Sequence, residues 1–200
     1  MPFIGLTGNL GTGKTTVLKH FKNSGAYTIN ADKLVHEILK KPSVIKKLPA
    51  ILDKSILVKK ASKISINKKH MADIIFNDPQ KRKAVEKIIH PVVIKTAKDI
   101  KTKILAEKPE TVIVFEVPLL FEAGYEKIFD KVIVVYCSKA KAIERLEKLG
   151  LSREQALKRM SAQMPISKKK AQADFLINNN FSIDNTKKQV KEIFKELKRL

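Results

Sequence analysis

The stretch Gly8-Asn9-Leu10-Gly11-Thr12-Gly13-Lys14-Thr15 decides how the rest of the chain reads. It follows the apolar run Phe3–Thr7, which predicts a short buried strand, and it precedes residues 14–21, whose spacing predicts a helix. A glycine-rich turn ending in Lys-Thr between a strand and a helix is the Walker A pattern in the context that pattern requires. Glycines let the backbone curl until successive N–H groups face a phosphate, and the helix start adds partial positive charge. The expectation is a cradle in which Gly8, Gly11, Thr12, Gly13, Lys14, Thr15 and Thr16 surround the phosphates of ATP. Lys14 would reach the β- and γ-phosphates, and the Thr15 hydroxyl would ligate Mg²⁺. The cradle alone leaves open what the nucleotide is used for, because such folds host switches, motors and kinases.

Outward from the cradle, residues 26–30 predict a second short strand, and 33–40 a helix that stops before Pro42. The β-branched runs at 111–116 and 131–136 predict central parallel strands, 175–178 a last strand, and 183–200 a closing amphipathic helix. Between the second and third strands, about 43–108 shows helical periodicity without convincing strand alternation. This stretch predicts an inserted helical subdomain. Asp78-Pro79 suits a helix start, and His90-Pro91 a break or kink. A second polar helical stretch, 139–173, contains the helix start Ser152-Arg153-Glu154-Gln155 and the lysine run Lys168–Lys170. It reads as a lid able to close over phosphates. Strands alternating with helices give an α/β fold: three layers around a central parallel five-stranded sheet, with ligands at the carboxyl ends of the strands. The expected organisation is a single kinase domain. Its core covers about 1–42, 109–138 and 174–200, its insertion about 43–108 and its lid about 139–173.

Two hundred residues at 44% hydrophobic suffice for one buried core. Cys137 is the only cysteine, which excludes an intrachain disulfide and a cysteine-based zinc cluster. No basic segment followed by a long apolar run opens the chain, and the apolar stretches fall short of the ~20 residues of a membrane helix. A soluble, cytoplasmic protein is expected, without membrane association. The net charge of +21 draws polyanions, yet 36 of the 41 basic residues are lysine, there is no Trp, and aromatics make up 6%. Base readout favours the arginine fork and single-strand binding needs stacking platforms, so the charge reads as a lysine-rich surface around an anionic-substrate site, not a nucleic-acid footprint.

Asp32, just past the second strand, fits either the carboxylate that orients an acceptor hydroxyl and takes its proton or a cap of the helix starting at Lys33. Glu116, ending the third strand, fits either a holder of metal-bound water or a strand-end carboxylate in a salt bridge. No Asn-Lys-x-Asp element for guanine is present, since Asn67-Lys68-Lys69-His70 lacks the aspartate.

Several strings, in order along nearly the whole chain, resemble the dephospho-CoA kinase family: Gly5 to Thr16, Asn30-Ala31-Asp32, His90-Pro91, Val117-Pro118-Leu119-Leu120-Phe121-Glu122, Arg159 with Gln163, and Ala173 to Asn179. The resemblance implies transfer of the ATP γ-phosphoryl group to the 3′-hydroxyl of dephospho-CoA, the last step of coenzyme A biosynthesis, by a protein that is a monomer or at most a weak homo-oligomer. It implies that Asp32 is the catalytic carboxylate, with Thr7 a nearby polar contact and Arg145 the lid arginine that neutralises the transferring phosphoryl. His90, Pro118, Leu119, Leu120 and Glu122 would line the acceptor site in a CoA-binding insertion and its surroundings. Asn178 or Asn179 would lie near the adenine, and Thr15 and Glu116 would serve the metal. Three positions depart from the family pattern: Asn30 and Glu116 stand where aspartate is common, and Leu149 where a second lid arginine is frequent. Arg145, Lys148 and Arg159 are therefore all candidates for the phosphoryl contact. The rivals are another small-molecule kinase of this fold and a nucleic-acid-binding ATPase.

Overall fold

A computed structural model describes residues 2–60 and 63–200, so Met1 and two residues of the expected insertion lie outside the described residues. In chain order the elements are β1 (Phe3–Thr7), α1 (Lys14–Asn23), β2 (Tyr27–Asn30), α2 (Ala31–Ile38), α3 (Pro42–Lys47), α4 (Pro49–Leu52), β3 (Leu57–Lys60) and β4 (Lys63–Ile66). There follow α5 (Lys68–Asn77), α6 (Pro79–Glu107), β5 (Ile113–Glu116), β6 (Lys131–Tyr136), α7 (Lys139–Glu147), α8 (Arg153–Ser161), α9 (Ile166–Ala171), β7 (Phe175–Asn178) and α10 (Ile183–Leu197). The chain divides into two compact units, Met1–Asn30 with Lys101–Leu200, and Ala31–Ile100.

The first unit is built on a five-stranded sheet of order β2-β5-β1-β6-β7, with every neighbour parallel. Parallel strands must be covered on both faces, which is why their sequences are continuous apolar runs. On one face Ile4 and Leu6 of β1, Val114 of β5, Ile133 and Val135 of β6, and Ile177 of β7 meet Val17 and Phe21 of α1 and Val190 and Leu197 of α10. Phe21 is fully buried there, and its truncation to alanine would cost about 3–5 kcal/mol. The alternate residues of the strands build the other face. Phe3 lies 4.9 Å from Phe129 ring to ring, and Phe115 is 6.1 Å from Phe129. Gly5 keeps this face flat, because a Cβ there would meet Leu120 Cδ1 at 2.6 Å. The expected start of α8 is a capping box, in which the Ser152 hydroxyl accepts from the Gln155 N–H and the Gln155 side chain accepts from the Ser152 N–H.

The second unit runs from Ala31 to Ile100, against the expected insertion of about 43–108. It is mainly helical, but the expectation of no strand is corrected. β3 and β4 form an antiparallel hairpin with Leu57 paired to Ile66 and Val58 to Ser65. Alternation there is short and lysine-rich, and only Ile66 of the pair Ile64 and Ile66 is buried, so the period of two barely shows in the sequence. Of the expected break or kink at His90-Pro91, the break does not occur, because α6 runs through Pro91 without ending. Proline removes one backbone donor and crowds the preceding turn, but Val85, Ile89, Val93 and Ala97 bury one continuous stripe on both sides of it and hold the helix together. Asp78 does start α6, its Oδ1 accepting from the N–H groups of Gln80 and Lys81 at 2.9 and 3.0 Å.

Candidate active site

The loop between β1 and α1 stands at the carboxyl end of the central strand of the sheet. Its shape depends on glycine at both ends. Gly13 takes a left-handed conformation (φ 88°) directly before α1, and a Cβ there would fall 2.2 Å from the Asn179 Nδ2 atom. At Gly8 a Cβ would lie 2.2 Å from the Val135 carbonyl oxygen of the neighbouring strand β6. No other residue type fits either position. Inside the loop the Asn9 carbonyl accepts from the Thr12 hydroxyl at 2.8 Å, the Thr12 N–H at 3.3 Å and the Lys14 ammonium at 3.0 Å. Lys14 is only 8% exposed and is thus folded into the loop it serves. The first turn of α1, with Thr15 and Thr16 exposed, supplies amide N–H groups that have no carbonyl partner within the helix. That is an anion site by construction.

The carbonyl side of the loop is held from behind. Arg145 of α7 donates through Nη1 to the carbonyls of Gly11 and Thr12, both at 3.4 Å, and through Nη2 to that of Asn179 at 2.9 Å. The buried Asn179 side chain donates to the Thr12 carbonyl at 2.8 Å and accepts from the Thr186 hydroxyl at 2.9 Å. Gln163 Oε1 accepts from the Leu10 N–H at 2.8 Å, and Asn9 Nδ2 donates to the Met164 carbonyl at 3.2 Å. Of the three lid candidates, Arg145 reaches the loop, Lys148 pairs with Glu144 at 2.6 Å, and Arg159 is exposed on α8. Cys137, half-buried beyond β6, has its thiol pushed up by burial, against the opposing pull of Arg145, Lys141 and Lys14.

Thr15 and Glu116, both expected to serve a metal, lie in contact. The Thr15 hydroxyl donates to Glu116 Oε1 at 3.2 Å, and Asn30 Nδ2 donates to Glu116 Oε2 at 2.6 Å. Strand register makes this contact, since Asn30 of β2 and Glu116 of β5 are direct neighbours. Glu116 is 3% exposed, so its carboxylate is desolvated, a cost that these two hydrogen bonds offset and that a cation there would offset further. A hydroxyl and a carboxylate are the hard oxygen donors that Mg²⁺ takes. Among the described residues no group of three or more His, Cys, Asp or Glu could enclose a metal. An ion here would complete its shell with water and phosphate oxygens, the usual habit of Mg²⁺.

Beside the loop, the turn after β5 is fixed by side chains. The buried Thr7 hydroxyl donates to the Pro118 carbonyl at 3.2 Å. Lys169 of α9, fully buried, donates to the same carbonyl at 3.4 Å and pairs with Glu122 Oε1 at 2.8 Å. Pro118 and Leu119 are half-buried, whereas Leu120 is fully buried over Gly5 and shapes the turn from beneath. Asp32 and His90 belong to the second unit. Asp32 is exposed in the first turn of α2, two residues past the capping position, and His90 is half-buried on α6. The residues missed by sequence reading are Lys169 and the Asn30–Glu116 pair. Nothing local marks Lys169 off from Lys168 and Lys170, and the pair spans strands far apart in the chain.

Known proteins resemble this chain in sequence and in fold. The profile of the dephospho-CoA kinase family matches residues 2–185. A dephospho-CoA kinase of Aquifex aeolicus is 41% identical over 200 residues, covering 100% of this chain and 99% of the relative. One from Listeria monocytogenes is 34% identical over 189 residues, covering 94% and 92%. The solved dephospho-CoA kinase of Campylobacter jejuni superimposes with a TM-score of 0.70 at 29% identity over 98% of this chain and 97% of that one. With its phosphate loop, its parallel sheet and relatives matched end to end, the chain belongs to the dephospho-CoA kinase family.

Proposed function

We infer that this chain is an ATP-dependent kinase that phosphorylates the 3′-hydroxyl of dephospho-CoA, giving CoA and ADP as the last step of coenzyme A biosynthesis. The observation that carries the reading is the closed glycine loop, with Lys14 folded into it and the Thr15–Glu116 pair at its foot. Lys14 and the amides at the start of α1 bind the β- and γ-phosphates, and Arg145, which bonds the loop carbonyls from behind, leaves them as the lid closes to share the charge of the transferring phosphoryl. Thr15 and Glu116 would hold Mg²⁺, whose contribution when bound is to neutralise phosphate oxygens. Asp32 accepts the proton of the acceptor hydroxyl as the bond forms, and Thr7 supports the site from the end of β1. His90, Pro118, Leu119 and Glu122 line the acceptor, with Leu120 beneath them, and Asn179 lies on the adenine side. We place the working domain at 1–200, with a substrate-binding insertion at about 43–108 and a lid at about 139–173 that closes to exclude water. The working form is a cytoplasmic monomer. Among the described residues no helix is long and apolar enough to cross a membrane.

ADP release measured in parallel with dephospho-CoA, AMP, a panel of sugar alcohols and single-stranded DNA tests the reading. Stimulation by dephospho-CoA alone is expected, and salt-sensitive stimulation by DNA would favour a nucleic-acid ATPase instead. Asp32→Asn should lower kcat by about 10²–10⁴-fold while ATP affinity stays. An unchanged kcat would remove Asp32 from the role of base.

A further inference from the structure

Lys169 is the middle member of three consecutive lysines, and its neighbours behave as surface lysines do. Lys168 is exposed, and Lys170 lies over the Tyr136 ring with Nζ 4.3 Å from its centroid. Lys169 is instead fully buried, its ammonium on Glu122 Oε1 (2.8 Å) and the Pro118 carbonyl (3.4 Å). An ion pair with one end buried and the other partly open to solvent gives little net stability, and its best-attested use is to specify geometry. The geometry specified here joins two loops. The Met164 N–H donates to the same Glu122 oxygen at 2.9 Å, the Met164 carbonyl accepts from Asn9, and Gln163 accepts from the Leu10 N–H. The short segment 163–169 therefore bonds the glycine loop at one end and the turn 118–122 at the other.

We propose that Lys169 is a positioning residue for phosphoryl transfer: through Glu122 and the Pro118 carbonyl it sets the turn that receives the acceptor in register with the loop that holds the donor. This rests on the reading of residues 117–122 as lining the acceptor. The ammonium touches neither substrate and acts by fixing Pro118 and Glu122, where misplacement by ~1 Å is enough to cost on the order of a hundredfold in rate.

The test compares Lys169→Met, Glu122→Gln, the double variant and Leu119→Ala, with dephospho-CoA and ATP varied separately and ATP binding followed by calorimetry. Lys169→Met should lose on the order of a hundredfold in kcat/KM for dephospho-CoA, with ATP affinity within about twofold of the wild type. Should the lone Glu122 charge keep that variant from folding, the double variant, which removes both charges, still reports. It should be no worse than the poorer single variant, because both changes act through one contact. A folded double variant with wild-type kcat/KM for the acceptor, or a parallel loss of ATP affinity, would overturn the proposal. Leu119→Ala separates the two ideas. If it lowers kcat/KM for dephospho-CoA while the Lys169 variants do not, the role of Lys169 fails alone. If it leaves that kcat/KM unchanged while the Lys169 variants lower it, the reading of the turn fails instead.

Discussion

The glycine loop at 8–13 and the turn at 118–122 sit at the carboxyl ends of adjacent strands, yet they are made in different ways. In the loop the working groups are backbone amides, and side chains such as Arg145 and Asn179 hold its carbonyls from behind. In the turn, read as the acceptor site, the working groups would be side chains, and Thr7 and Lys169 hold its backbone. A site made of backbone demands special φ and ψ values and so leaves glycines in the sequence. One made of side chains propped by distant residues leaves no local mark. The loop should therefore be damaged by changing its own residues, and the turn by changing a residue about fifty positions away.

The largest expected effect is at the loop. Lys14→Ala should abolish turnover, by roughly 10³-fold or more in kcat, since in the proposed reading it removes the charge set against the β- and γ-phosphates. ADP release with dephospho-CoA measures this, and near-wild-type activity would overturn the assignment of the cradle. Gly13→Ala comes next. The new methyl group must adopt a left-handed conformation and displace the Asn179 amide, so stability should fall by about 1–3 kcal/mol and thermal protection by ATP should be largely lost. Unfolding with and without ATP distinguishes a distorted loop from a merely less stable protein.

The smallest effect sharpens the comparison from outside it. Asp174, at the amino ends of β6 and β7, accepts from the Val132 N–H and the Lys131 ammonium, both at 2.8 Å. Burial pushes its carboxyl up, but the hydrogen bonds from Lys131 and the Val132 N–H outweigh this and hold it below the usual value. A carboxyl lowered in the folded state stabilises above its unfolded value of about 3.9, and this contribution is lost as pH falls through the lower folded value. Because the pair is partly exposed, Asp174→Asn should cost less than about 1 kcal/mol at pH 7. The difference from wild type should vanish at acid pH, with kcat unchanged throughout, as urea unfolding and rate measurements would show.

The same contrast explains what the sequence disclosed. The phosphate loop, the strands at 131–136 and 175–178 and the cap at Ser152 follow from local demands, namely positive φ, two-sided burial and orphan helix N–H groups. The β3–β4 hairpin hid because its strands are four residues each, with few buried positions. Pro91 does not break α6 because its local cost is outweighed by the buried stripe from Val85 to Ala97. Glu116 was visible as a strand-end acid, but its grip by Asn30 depends on strand register. That contact also gives a role to a position where aspartate is the commoner residue, since an amide can donate to the carboxylate that aspartate would repel.

Phosphorus-31 NMR of ATP, Mg²⁺ and dephospho-CoA incubated with this chain tests the central claim most directly. The account predicts that a new monophosphate ester on the acceptor ribose grows in step with ADP. ADP accompanied only by inorganic phosphate, or ATP left intact, would contradict it.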